Sequence, residues 1–136
     1  MQTTQLTVDS DRTILIEDDL PNINTSILTG SAVATVQPTT NSFQAAFNPA
    51  GFTFNPLLSG LTIGKSTSTA GLTINQATTI NGPVNVLGGA VTISANITST
   101  TTSAFIRIKA NTIGMSAVLS ATRSGRIIIA NQSPSR

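Results

Sequence analysis

Residues 60–93 read GLTIGKSTSTAGLTINQATTINGPVNVLGGAVTI, and one short beat returns four times within them. It is GLTI at 60–63, GLTI again at 71–74, ATTI at 77–80 and AVTI at 90–93; a shorter NTI follows at 111–113. Each beat runs apolar, polar, apolar, the period-two signature of a half-buried strand. The beats are too brief for ordinary sandwich strands, and Gly, Asn, Ser and Thr separate them. They suit the rungs of a parallel β-helix, in which each coil is one repeat. Ile and Val then point inward and stack on their equivalents one coil away, while the central Thr points outward. Burying one Ile is worth roughly 1.5–3 kcal/mol. Ile74→Asp or Ile93→Asp is therefore expected to be severe, and Thr73→Ser mild.

Outward from this stretch, the same pattern marks candidate strands at 61–63, 72–74, 78–80, 84–86, 91–93, 105–108, 117–119 and 126–129. Upstream candidates lie at 5–8, 12–17, 26–28 and 32–36. The beats at 71 and 90 lie 19 residues apart. The pairs Ala95-Asn96, Ala110-Asn111 and Ala130-Asn131 each close an apolar beat, at spacings of 15 and 20. A coil of about 20 residues with three short strands follows. Asn at these turns is expected to hydrogen-bond local backbone. Pro38, Pro49 and Pro56 interrupt any ladder between 37 and 59, because proline lacks the donor that a central strand needs. Phe43, Phe47, Phe52 and Phe54 share that zone and are expected to form a local apolar cluster that closes one end of the stack or fills a loop. The organisation expected is one domain overall: an irregular, short-strand region at 1–59 and a β-helix repeat region at 60–136.

Composition agrees with a strand-built repeat. Ser, Thr and Asn supply 49 of the 136 residues, and only 9% are charged, well below the roughly 25% of an average soluble domain. Fifteen Ile are too many for a solvated tail. There is no Cys, so neither disulfides nor thiolate metal sites are open to it. All five carboxylate side chains, Asp9, Asp11, Glu17, Asp18 and Asp19, lie in the first 19 residues, with Arg12 among them. Every other cation, Lys65, Arg107, Lys109, Arg123, Arg126 and Arg136, lies beyond. No apolar run approaches the roughly 18 residues of a membrane-spanning helix.

Residues 51–110 resemble the β-strand repeat of large bacterial surface proteins, the filamentous-haemagglutinin-like adhesins of two-partner secretion. The resemblance rests on GFTF at 51–54, LSGLTIGKS at 58–66, GLTIN at 71–75, VNVLGGAVTISANIT at 84–98 and IRIKA at 106–110. It implies an all-β, right-handed parallel β-helix of few coils, part of a stalk on a cell surface, with no catalytic residues to carry over. The start, MQTTQLTVDSDR, lacks the basic-then-apolar layout of a signal peptide. The expectation is an excised piece of a longer exported chain, secreted or displayed at the surface.

Chemistry is expected to be sparse. General acid–base work needs a positioned titratable group, usually His, Glu or Asp; His is missing and the regular part has no carboxylate side chain. Lys65-Ser66 leaves a Ser-Lys pair only formally open. The phosphate-loop spacing fails at GLTIGKS, because Ser59 stands where the first glycine belongs. Calcium needs several oxygen ligands, and the acidic residues at 9–19 read better as a solvated loop. No catalytic residue, metal ligand or cofactor is expected. Arg107, Lys109, Arg123 and Arg126 form a possible anion-binding stripe, with Arg107 and Arg126, 19 apart, stacked as an outward ladder. The plainer reading is a sparsely charged face that keeps the stack soluble and deters edge pairing. Nucleic acid is not expected, because aromatics are not interleaved with the cations. Flat Thr arrays that bind ice are not expected either, since Thr-x-Thr does not recur coil after coil. The leading expectation is a non-enzymatic structural or adhesive segment meeting a host or surface glycan or protein. The alternatives are a self-assembling fibre or sheath subunit associating end to end, and an anionic-polysaccharide-binding module.

Overall fold

In the computed structural model, residues 5–8, 12–19, 26–49, 52–102, 104–122 and 125–131 are described, with backbone alone for 5–8, 26–30 and 52. Thirteen strands and no α-helix occur among them. In chain order they are β1 (Gln5–Val8), β2 (Thr13–Glu17), β3 (Ser26–Gly30), β4 (Val33–Gln37), β5 (Phe52–Phe54), β6 (Gly60–Gly64) and β7 (Gly71–Ile74). They continue with β8 (Thr78–Ile80), β9 (Val84–Ile93), β10 (Ile97–Ser99), β11 (Phe105–Met115), β12 (Leu119–Ala121) and β13 (Arg126–Asn131). Every pairing among the described strands is parallel, and the strands wind as a β-solenoid of about five turns.

Each coil visits up to three strand positions. The middle position builds one long sheet, β13-β11-β9-β6-β4-β2, and β7 pairs with the second half of β9. The position before it holds two separate three-stranded sheets, β1-β3-β5 and β8-β10-β12. The LTI beats occupy all three positions: Thr78 pairs with Ile97, Leu61 with Val84, and Leu72 with Val91.

Two inner columns hold the long sheet. One runs Ile14, Ala34, Leu61, Val84, Ile106, Ile127; the other runs Ile16, Val36, Ile63, Val86, Ile108, Ile129. From Ala34 to Ile106, and from Val36 to Ile108, every member is buried. On the third position Leu72, Val91 and Ile113 stack, and so do Ile74, Ile93 and Met115. Thr62, Thr73, Thr79 and Thr92, the polar centres of the beats, are half-buried or exposed. Parallel pairing forces this order, because a slip by one residue would turn every Ile and Val to solvent.

Coil length varies. Leu72 pairs with Val91 after 19 positions, Leu61 with Val84 after 23, and Ala34 with Leu61 after 27. The longest spacing holds all three interrupting prolines, and the inner columns stay paired across it. The Ala-Asn pairs are consequently not equivalent positions. Ala130 pairs with Lys109, and Ala110 pairs with Asn131. Ala95-Asn96 instead turns the corner between β9 and β10. Asn96 bonds across coils and not locally: its Oδ1 accepts the backbone N–H of Val118 at 2.9 Å. Asn81 Oδ1 likewise accepts the Thr101 hydroxyl at 2.6 Å. The expected strand at 117–119 sits two residues later, as β12, and β5 and β10 are strands that the beat did not mark.

Of the expected Phe cluster, Phe43 and Phe47 fill the segment between β4 and β5, within the stack and not at its end, while the side chain of Phe52 lies outside the described residues. Phe43 and Phe47 are buried, their ring centroids 4.6 Å apart, and Phe47 bridges to Leu72. Phe54 is half-buried and packs on the same core. Ser99 is fully buried between Ile80 and Ala121, and its hydroxyl donates to the Gly82 carbonyl at 2.6 Å. Ser99→Ala removes that donor from a buried carbonyl and should cost about 1–3 kcal/mol. A urea midpoint equal to that of the parent would contradict this.

Candidate functional site

The sequence places its cations on β11 and β13, and pairing decides which of them meet. Ile106 and Ile108 face inward, so Phe105, Arg107 and Lys109 alternate onto the outer face of the long sheet. Arg107 is exposed, and its guanidinium carbon lies 5.2 Å from the centroid of the Phe105 ring. This cation–π contact fixes the direction of the guanidinium and leaves donors towards solvent. Lys109 is half-buried and Arg126 exposed; Arg123 lies outside the described residues.

The expected Arg107–Arg126 ladder does not form. Arg126 pairs with Phe105 and Arg107 with Ile128, because this coil takes 21 positions and not 19. The two arginines are diagonal neighbours on one face, one strand spacing and two rises apart, or roughly 8 Å between Cα atoms. The arrangement is a staggered patch of Arg107, Lys109 and Arg126 around Phe105. It can meet spaced anionic groups, such as sulfates or carboxylates on a chain, by charge and by the arginine forks.

Three other charged groups are engaged nearer the other end. Glu17 Oε2 accepts the Gln37 side-chain amide at 2.7 Å, and Asp19 Oδ1 accepts the backbone N–H of Thr40 at 2.7 Å. Lys65 Nζ donates to the carbonyls of Thr40 and Thr39 at 3.0 and 3.4 Å, which turns it towards that neighbouring segment. Among the described residues no group of three or more His, Cys, Asp or Glu is placed to hold a metal. Asp9 and Asp11 lie outside them.

A cleft of about 90 Å³ opens where β5 and β8 fail to pair, lined by Thr53, Phe54, Ile74, Asn75, Gln76 and Thr78 among others. Ligand pockets for drug-sized molecules run to roughly 300–1,000 Å³, so this space suits a few waters. Outward hydroxyls make short columns, Thr79-Thr98-Ser120 and Thr73-Thr92, the second ending at Gly114. Sequence reasoning missed Phe105 as the partner of Arg107; its signal was the alternation in FIRIK, which puts Phe105, Arg107 and Lys109 on one side. No helix among the described residues is long and apolar enough to cross a membrane. No family model, curated protein or solved structure matches the chain.

Proposed function

We propose that this chain is a non-enzymatic structural segment of a bacterial surface stalk, part of a longer exported adhesin. The observation that supports this reading best is the pair of inner aliphatic columns running through the long sheet, clothed outside in hydroxyls and amides. Such a body transmits length: about five coils at a strand spacing of roughly 4.8 Å extend some 24 Å. It stiffens through stacking of neighbours and not through a central cavity. The resemblance of residues 51–110 to filamentous-haemagglutinin-like repeats points to the same role. Antibody raised against the purified chain should label intact, unpermeabilised cells of the source organism. Labelling that needs permeabilisation would overturn the surface assignment.

The staggered cationic patch favours a second reading, an anionic-polysaccharide contact on the side of the stalk. Arg107→Ala combined with Arg126→Ala should elute from immobilised heparin at clearly lower salt than the parent, since exposed charges act through a screened field. Both side chains are exposed, so the stability should hold within about 0.5 kcal/mol. An unchanged elution position would remove the patch from that role.

A further inference from the structure

The ladder register orders the outer face of the long sheet into columns. Thr35, Thr62, Asn85 and Arg107 form one column, each paired with the next. Val33, Gly60, Pro83 and Phe105 form the column beside it: Val33 pairs with Gly60, and Gly60, Pro83 and Phe105 each precede a member of one inner column. One column is polar up to its arginine and the other apolar, over four successive coils. Thr35, Thr62, Asn85, Pro83 and Phe105 are half-buried and Val33 is 39% exposed, so both columns are accessible. Among the described residues no hydrogen bond holds the side chains of Thr35, Thr62 or Asn85. Strands β4, β6 and β9 carry no charged residue. Charge flanks them on the same face. Arg107 and Lys109 follow on β11, with Arg126 diagonal to Arg107. Glu17 precedes them on β2, paired with Gln37 and bonded to its amide.

We infer that these two columns bind a linear glycan along the solenoid axis, with one acidic unit at the cations and neutral units beyond it. Successive coils offer one polar group about every 4.8 Å, close to the length of one pyranose unit. Sugar hydroxyls meet the Thr35 and Thr62 hydroxyls and the Asn85 amide, all of which both donate and accept. The C–H faces of the sugar rings lie against Val33 and Pro83 in the apolar column. Arg107 leans over the Phe105 ring, 5.2 Å from its centroid, and so heads both columns. Its fork takes the carboxylate or sulfate of the acidic unit. A chain charged at every unit fits less well, because its further anions would pass three uncharged strands and approach Glu17. This mode of binding rests on the glycan reading of the cationic patch and names what the patch holds. The columns lie within the stack, on β4, β6, β9 and β11.

An array of immobilised oligosaccharides, probed with the whole chain, tests this. The bound members should carry a single acidic unit capping a neutral stretch. The same glycans without the acid should bind about tenfold less, since a hydrogen bond to a charged group is lost. Thr62→Arg separates this mode from simple attraction to the patch. Thr62 points outward, so the inner columns stay intact, while the new side chain fills the polar column and adds a cation. Binding of acid-capped glycans should fall about tenfold, while retention on immobilised heparin should hold or rise. Asn85→Ala should weaken the acid-capped glycans by about threefold and leave heparin elution where it was. If heparin elution ignores Arg107→Ala combined with Arg126→Ala, the patch reading fails and this mode with it. If elution responds, yet Thr62→Arg leaves or strengthens binding of the acid-capped glycans, the patch stands and the columns are not the site. Binding confined to chains charged at every unit, or an array with no bound member, would equally overturn the inference.

Discussion

Ile93→Asp is expected to abolish cooperative folding, or to leave a chain destabilised by more than about 4 kcal/mol. Ile93 is fully buried, with Ile74 on one side of it and Met115 on the other in adjacent coils. The substitution removes the roughly 1.5–3 kcal/mol of burial and sets a carboxylate where no donor waits, which costs several kcal/mol more. Total stability for a domain of this size is on the order of 5–15 kcal/mol, so the loss is a large share of it. Thr92→Ser, the neighbouring outward position, should stay within about 0.5 kcal/mol. Chemical denaturation followed by circular dichroism measures both, and similar midpoints for the two variants would contradict the assignment of inner and outer faces.

Gly64→Ala should approach the same severity for a different reason. Gly64 has φ of 91°, the left-handed region that L side chains rarely adopt. A Cβ there would sit 1.8 Å from the carbonyl oxygen of Leu87, its partner across the ladder. Neither atom is the end of a flexible side chain, so the backbone of two coils would have to part. The expected cost exceeds about 3 kcal/mol, by clash and strain together. Gly114→Ala is the control. A Cβ at Gly114 meets only the Thr92 hydroxyl, at 3.8 Å. That substitution should be neutral or stabilise by roughly 0.4–1 kcal/mol, by restricting the unfolded chain. Equal losses at 64 and 114 would contradict the close approach of β6 and β9.

The all-β solenoid was legible because its beats are local. Leu61, Ile63, Leu72, Ile74, Val91 and Ile93 declare their inward faces by alternation alone, and they are buried. The beats at 71 and 90 even gave a true pairing, Gly71 with Ala90. Register elsewhere was not legible, because corners absorb insertions at little energetic cost and sequence spacing then says nothing about stacking. Arg107 and Arg126 failed to align for that reason, by two residues. The strand β10 was overlooked because its inward residues are Ile97 and Ser99, and a buried serine breaks the apolar beat. Its hydroxyl is satisfied by the Gly82 carbonyl, a partner 17 residues away that no local pattern reveals. Phe52 and Phe54 read as members of an aromatic cluster with Phe43 and Phe47, and their strand β5, paired with β3, carries no repeat of the beat that would have marked it. The cationic patch was half legible: its residues were, and the Phe105 ring beneath Arg107 became evident only in the fold.

Methyl nuclear Overhauser contacts on isotope-labelled chain reach the stacked columns most directly. Contacts linking Ile63 to Val86 and Val86 to Ile108, in unbroken succession, are the predicted result. Strong contacts between α-protons of consecutive strands, the mark of antiparallel pairing, would contradict it.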